Sequence, residues 1–246
     1  MPVKTASRSK ARLGGAESGA RDRRGEIVGV AGRLFAERGF EATTVRQIAD
    51  AVSILPGSLY HHFATKEDML HDVLRAQMDH LVEENRKLGA LPGDAEHRLV
   101  ASVIWRFRQY VEQWQFHAIL LQDGRFFRQH PDFGYVVAAK AEAFTTQRAI
   151  LEDGMSAGLF RADMDTYLMI GTIARMLSSG AAWFRSGDIF SADRPSSYTL
   201  DPVIDFHLDC VLNLVRAPSR IGQSVPRAAC EAVLAAAMPV VRRSPA

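Results

Sequence analysis

The residues with most chemical capacity lie together in "ILPGSLYHHFATKEDML", residues 54–70 of a 246-residue chain. His61 and His62 stand side by side between Tyr60 and Phe63, just after a Pro-Gly step. Such a group can ligate a metal, act as an acid–base pair or form a binding surface. Metal binding is disfavoured, because adjacent residues on a helix point about 100° apart and cannot easily share one ion. No cysteine or carboxylate nearby completes a ligand set. Catalysis needs a nucleophile or an orienting partner for the imidazole, and the sequence offers neither. A binding surface remains, with His61 the better contact and His62 the better cover for the domain's own surface.

The elements that must hold these residues are helical. Ile27, Val30, Ala31, Leu34 and Phe35 follow the i, i+3, i+4, i+7, i+8 template, and Gly39 sits where a helix is terminated. A second helix starts at "TTVRQIADAV", where Thr44 and Gln47 form a capping-box pattern. Ser53 to Leu55 is a short break. Pro56 opens a third helix, at a position where its missing N–H costs nothing. That helix is expected to run to about Phe63, with Leu55, Leu59 and Phe63 inward. Thr65 caps a fourth helix, with Glu67 and Asp68 in its favourable first turn, ending near Lys87.

"LGALPGDAE" (residues 88–96) is the best internal boundary by composition. Beyond it, helices are expected at about 95–114, 116–123, 132–157, 164–185 and 199–216. "RFFRQHP", "GLFRAD" and "RSGDIFSADRPSS" read as loops. Residues 217–246 read as an extension with a helix at about 226–238 or loose order. Strand signals are absent, so the fold class is all-α.

Composition narrows the partners. The net charge is +2, yet residues 1–24 carry seven Lys/Arg against two acids. That basic, Gly/Ala/Ser-rich stretch reads as a disordered arm, suited to phosphate contact or to solubility alone. The two cysteines, Cys210 and Cys230, support neither a disulfide framework nor a zinc site, so the cytoplasm is the simplest compartment. Apolar runs are too short to span a bilayer. No GxGxxG, P-loop, GxSxG or HExxH occurs, so neither a cofactor nor catalysis is expected.

Two short helices joined by a tight turn, inside a group of three, make the layout of a helix-turn-helix. The second member of such a pair enters the DNA major groove. Gly57, Ser58, His61 and His62 fall away from the inward side, and Lys66 and the helix amides beside it can hold a phosphate. "TTVRQIADAV…PGSLYHHFATKEDML", with "AGRLFAERGFEATTV" upstream, resembles the TetR family of bacterial transcriptional regulators over roughly residues 26–74. The resemblance implies an N-terminal three-helix DNA-binding domain, a larger helical ligand-binding domain, and a homodimer built on the last two main helices. The corresponding limits are a basic arm over 1–20, a DNA-binding domain over 21–68, a ligand-binding and dimerisation domain over 69–216 and an extension over 217–246. It also implies that Thr44, Tyr60, His61 and Lys66 contact the DNA backbone of a double-stranded operator, and that Arg46, Gly57 and Ser58 approach base edges. "VSIL" departs from the family's usual Ala-Gly-Val-Ser: Ser53 replaces the turn glycine and Leu55 replaces the capping serine. "ILPGSLYHHF" is similar to regulators of steroid-ring catabolism that respond to acyl-CoA metabolites.

A second group suits an apolar effector cavity with few polar anchors: Trp105, Tyr110, Trp114, His117, Phe144, Arg148, Met176, Trp183 and Arg185. Each is also an ordinary core residue by type. Arg185 in "GAAWFR" can hold an anionic group or sit at a dimer rim. Gly171 and Gly180 admit a close helix neighbour at a dimer interface. The competing readings are a multidrug or solvent-efflux repressor, and a helical small-molecule-binding protein or enzyme without DNA binding.

Overall fold

A computed structural model describes residues 8–186, 199–224 and 227–238. Among them the protein is helical, without a strand; a single isolated bridge joins Phe160 and Arg216. The chain forms two compact units. One holds the described residues up to Gln77 together with Gln115–His130, and the other holds Met78–Trp114 and the described residues from Pro131.

The first unit contains α1 (Arg8–Arg38), α2 (Val45–Ala51), α3 (Pro56–Leu59) and the start of α4 (Lys66–Gly89). It also contains most of α6 (Trp114–Gln122) and all of α7 (Gly124–Gln129). Ile27, Phe35, Ile48, Leu59, Phe63 and Leu70 are buried, as the helical period requires. Four sequence expectations change here, the first being that α3 ends at Leu59 rather than at about Phe63, with residues 60–62 in a turn. Residues 8–20, read as an arm, continue α1, because Ala, Lys and Arg propagate a helix once a packed segment has nucleated it; residues 1–7 lie outside the described residues. "RFFRQHP" is largely helical, because burial of Phe126 and Phe127 outweighs its weak local signal. The Phe126 ring lies 4.7 Å from that of Phe40. Leu55 points outward and is 76% exposed, so only Leu59 and Phe63 of the expected trio face the core.

The second unit is arranged on α5 (Ala95–Glu112), against which α8 (Gly134–Ser156), α9 (Thr166–Ser186), α10 (Leu200–Val215) and α11 (Arg227–Ala237) pack. "LGALPGDAE" is a turn inside this unit rather than the boundary between units. Helix α4 runs past Gln77, and Asn85 and Leu88 are buried. Asp94 then caps α5 by accepting from His97 N–H at 2.9 Å. Arg216 and Glu96 form a two-pronged buried ion pair, both contacts 2.9 Å, tying the end of α10 to the start of α5. Gly180 gives close approach, but to its own subunit: an added Cβ would lie 2.0 Å from His207 Nε2, whereas Gly171 has open space around it. Of the C-terminal extension, α11 docks by Cys230 and Leu234 and by an Arg108–Glu231 bond of 3.0 Å. Most of "RSGDIFSADRPSS" falls outside the described residues.

Candidate nucleic-acid interface and ligand-binding residues

Local chemistry builds the helix-turn-helix. The Thr44 hydroxyl accepts from Gln47 N–H at 3.2 Å, and Gln47 Oε1 accepts from Thr44 N–H at 2.9 Å, so the capping box is closed. At the far end of α2, Ser53 N–H donates to Asp50 C=O and Ile54 N–H to Ala49 C=O, the paired bonds of a Schellman end. The residue that makes this turn needs a left-handed backbone, and Ser53 has φ 56°. A side chain there costs about 1 kcal/mol that glycine would not. Leu55 occupies the N-cap of α3 without any side-chain cap bond. Thr65 and Asp68 exchange bonds of 3.0 Å at the start of α4.

Cations inside this unit are used for fastening. Arg23 donates to Val52 C=O at 2.9 Å and covers the end of α2. Arg24 donates to His62 C=O and to Asp72 (2.8 Å), with its guanidinium 4.0 Å above the Phe63 ring. Lys66 behaves the same way. Its ammonium donates to Phe40 C=O and Thr43 C=O at 2.8 Å and to Glu41 C=O at 3.4 Å, and lies 4.3 Å over the Phe40 ring. Burial pushes its pKa down, against attraction from Glu67, Glu41 and Asp123. The side chain expected at a phosphate therefore points at the domain's own carbonyls. Asp123, from the α6–α7 turn, accepts from Phe40 N–H, and burial pushes its carboxyl up.

What remains outward is a polar face. Thr44, Arg46, Gly57, Tyr60 and His61 are exposed and Ser58 is partly so. Arg46 is weakly paired with Asp50 at 3.9 Å, both largely in solvent. An added Cβ at Gly57 would meet nothing within 4 Å, so the protein itself does not require glycine there. His62 lines an open cleft with Arg24, Asp68, His71, Asp72 and Arg75. No group of three potential metal ligands occurs among the described residues.

The expected effector residues are only partly brought together. Arg185 lies 3.8 Å over the Trp114 ring, a cation–π pair. Trp105 is buried on α5, with Tyr110 and Met176 half-buried. Phe144 pairs with Tyr167 at 5.3 Å. Arg148 is exposed and paired with Glu152, since the period of α8 carries it outward. His117 belongs to the first unit and meets Phe116 edge-on at 5.0 Å. Inside the second unit lies a polar cluster that residue type and spacing do not single out: Asn85, Ser102, Arg106 and Gln147. The available signal was Arg106 standing between Val103 and Tyr110 on the apolar stripe of α5.

The family model for bacterial regulatory proteins of the tetR family matches residues 27–73. The HTH-type transcriptional repressor KstR2 of Rhodococcus jostii is 34% identical over 201 residues, covering 82% of this chain and 95% of that protein. KstR2 of Mycobacterium tuberculosis is 34% identical, covering 70% and 86%. The solved structure of the ketosteroid transcriptional regulator KstR2 of Mycobacterium tuberculosis superposes with a TM-score of 0.67 at 30% identity, covering 79% of this chain and 95% of that one.

Proposed function

Because the chain belongs to the TetR family of bacterial regulatory proteins, we propose that it is a dimeric repressor released from a near-palindromic operator by an acyl-CoA-type or other apolar effector. Members of this family are DNA-binding transcription factors rather than enzymes. Such a regulator works where the DNA is, in the cytoplasm, and no helix among the described residues is long and apolar enough to cross a membrane.

The observation that carries the DNA-reading surface is the division of α3 and its flanks. Leu59 and Phe63 are buried while Tyr60 and His61 are exposed beside Gly57. Thr44, Tyr60 and His61 hold phosphates, and the amide of Lys66 at the start of α4 adds to them. Arg46 and Ser58 reach base edges, and the open space at Gly57 admits the groove floor. Exposed Leu55 suits the methyl group of a thymine, the apolar feature of the major groove. Dimerisation uses α9 and α10, where Tyr167, Leu168, Phe206 and Leu214 leave apolar surface uncovered. Two recognition helices then lie roughly 34–36 Å apart on the operator.

Release follows from connectivity. The chain leaves the second unit at Trp114, forms α6 and α7 in the first, and returns at Pro131. A change in α5 or α8 is thereby delivered to the residues that hold Phe40 and the turn before α2. An effector shifts this balance only by its different affinity for the two arrangements. The effector class is supported by similarity to a ketosteroid regulator.

The test is a gel shift with the DNA upstream of the protein's own gene across a salt series. Retardation should weaken steeply with salt, since phosphate contacts dominate affinity. No retardation at low salt would refute the regulator reading, and retained retardation by Tyr60→Phe with Arg46→Ala would refute the assigned face.

A further inference from the structure

Among the described residues, the interior of the second unit holds a guanidinium that no carboxylate meets. Arg106, on α5, donates through Nε to Ser102 Oγ at 3.3 Å and through an Nη to Asn85 Oδ1 at 2.6 Å. It also hydrogen-bonds the Tyr110 hydroxyl, and burial lowers its pKa below the usual guanidinium value. Among the described residues no Asp or Glu pairs with it. Every partner is a neutral oxygen, and Ser102 and Asn85 are fully buried. Asn85 is held in place by donating to Leu81 C=O at 2.7 Å. The other arginines of this interior show the contrast. Arg216 is buried too, but it meets Glu96 with two bonds.

A second, independent observation lies on the other side of Ser102. The Ser102 hydroxyl donates to Gln147 Oε1 at 3.1 Å, which leaves Gln147 Nε2 buried without an acceptor. An unpaired buried charge and an unmade buried N–H are both costly, and the two stand on α5 and α8 around one hydroxyl. One ligand group satisfies both: an oxyanion, which neutralises the guanidinium and accepts from the amide.

We infer that Arg106 and Gln147 form the anion-holding end of the effector site, and that the effector is an organic anion with an apolar body. The inference rests on the effector-release reading and specifies its chemistry. A carboxylate, a sulfonate and a phosphate of a coenzyme A thioester share that chemistry. Arg148 and Arg185, the cations expected to anchor an anion, are exposed and already paired with Glu152 and Trp114.

The test uses the full chain with two dyes of similar skeleton, the anion 8-anilinonaphthalene-1-sulfonate and neutral N-phenyl-1-naphthylamine, titrated by fluorescence. Wild type should take the sulfonate more tightly. Arg106→Gln should weaken it about 10- to 100-fold, the loss expected for charge-assisted bonds, and change the neutral dye less than about twofold. Gln147→Leu, which keeps the guanidinium, should weaken the sulfonate several-fold. Urea melts check folding: removal of an uncompensated charge leaves the Arg106→Gln midpoint at or above that of wild type, whereas a purely structural arginine would lower it. Displacement of the sulfonate by decanoate assigns a carboxylate source, and displacement by decanoyl-CoA alone assigns the phosphates. Failure of both, absence of sulfonate binding, equal sulfonate affinity in wild type and Arg106→Gln, or parallel loss of both dyes overturns the inference. Operator gel shifts on the same samples read the regulator assignment separately, because it can fail while anion binding stands.

Discussion

Lys66→Met separates two roles for one cation. The structure spends the ammonium on the Phe40 and Thr43 carbonyls at 2.8 Å, with Glu41 further off at 3.4 Å. A hydrogen bond to a charged group contributes about 1.5–3 kcal/mol. Two such bonds are lost in the variant, but the site is only partly buried, so water replaces a share of each. The methionine stem keeps its contact with the Phe40 ring. A net loss of about 2 kcal/mol is expected, read from urea unfolding followed by circular dichroism. Operator affinity should fall modestly, through loosening of the turn before α2. The slope of log K against log salt should stay that of wild type, because no phosphate contact is removed. A lysine on a phosphate behaves oppositely: its removal lowers the salt slope by about 1 and leaves stability nearly unchanged. That result would refute the reading of Lys66 as a fastener.

Gly180→Ala should destabilise by about 1–2 kcal/mol despite the helix propensity of alanine, since overpacking outweighs that gain. The new Cβ meets His207, whose ring is held by Val203 C=O at 2.7 Å and packed on Phe107, so His207→Ala in the same chain should relieve the loss in urea melts. Burial raises the Asp123 carboxyl, so the folded chain binds that proton more tightly than the unfolded chain does. Its contribution to stability is complete below the ordinary value of 3.8 and is lost as pH rises through the folded value. Asp123→Asn should flatten the dependence of melting temperature on pH over that interval, and an unaltered profile would sink the assignment. Leu55→Ser supplies the missing N-cap oxygen and should stabilise by about 1 kcal/mol. If it also left operator affinity unchanged in gel shifts, Leu55 would not be part of the reading surface.

Local features were legible in the sequence because their physics is local. Gly39 ends α1 with φ 86°, the Thr44–Gln47 box closes as spaced, and Ser53 adopts the left-handed backbone that its place in the turn demands. Helix limits from apolar periodicity fall within a few residues of those observed for α5, α8, α9 and α10. The exposed polar face followed from the same patterns, since buried Leu59 and Phe63 flank exposed Tyr60 and His61 across the end of α3 and the turn after it. Burial of a helix face requires little more than period and length.

Tertiary structure decided which partner each charge and ring would meet. Lys66 reads as a free cation at a helix start until Phe40 and Thr43, more than twenty residues earlier, place their carbonyls around it. Residues 125–131 read as loop until Phe40 offers Phe126 a place to be buried. His117 and Arg148 fit an effector cavity by type, yet one folds into the first unit and the other turns to solvent. Arg106 gives little signal among its apolar neighbours, because its surroundings depend on α4 and α8 bringing the neutral Asn85 and Gln147, and no carboxylate among the described residues, to that interior. Residue type and spacing determine where a helix starts, stops and faces. Neutralisation and desolvation depend on neighbours brought together from across the chain, and those only the packed helices supply.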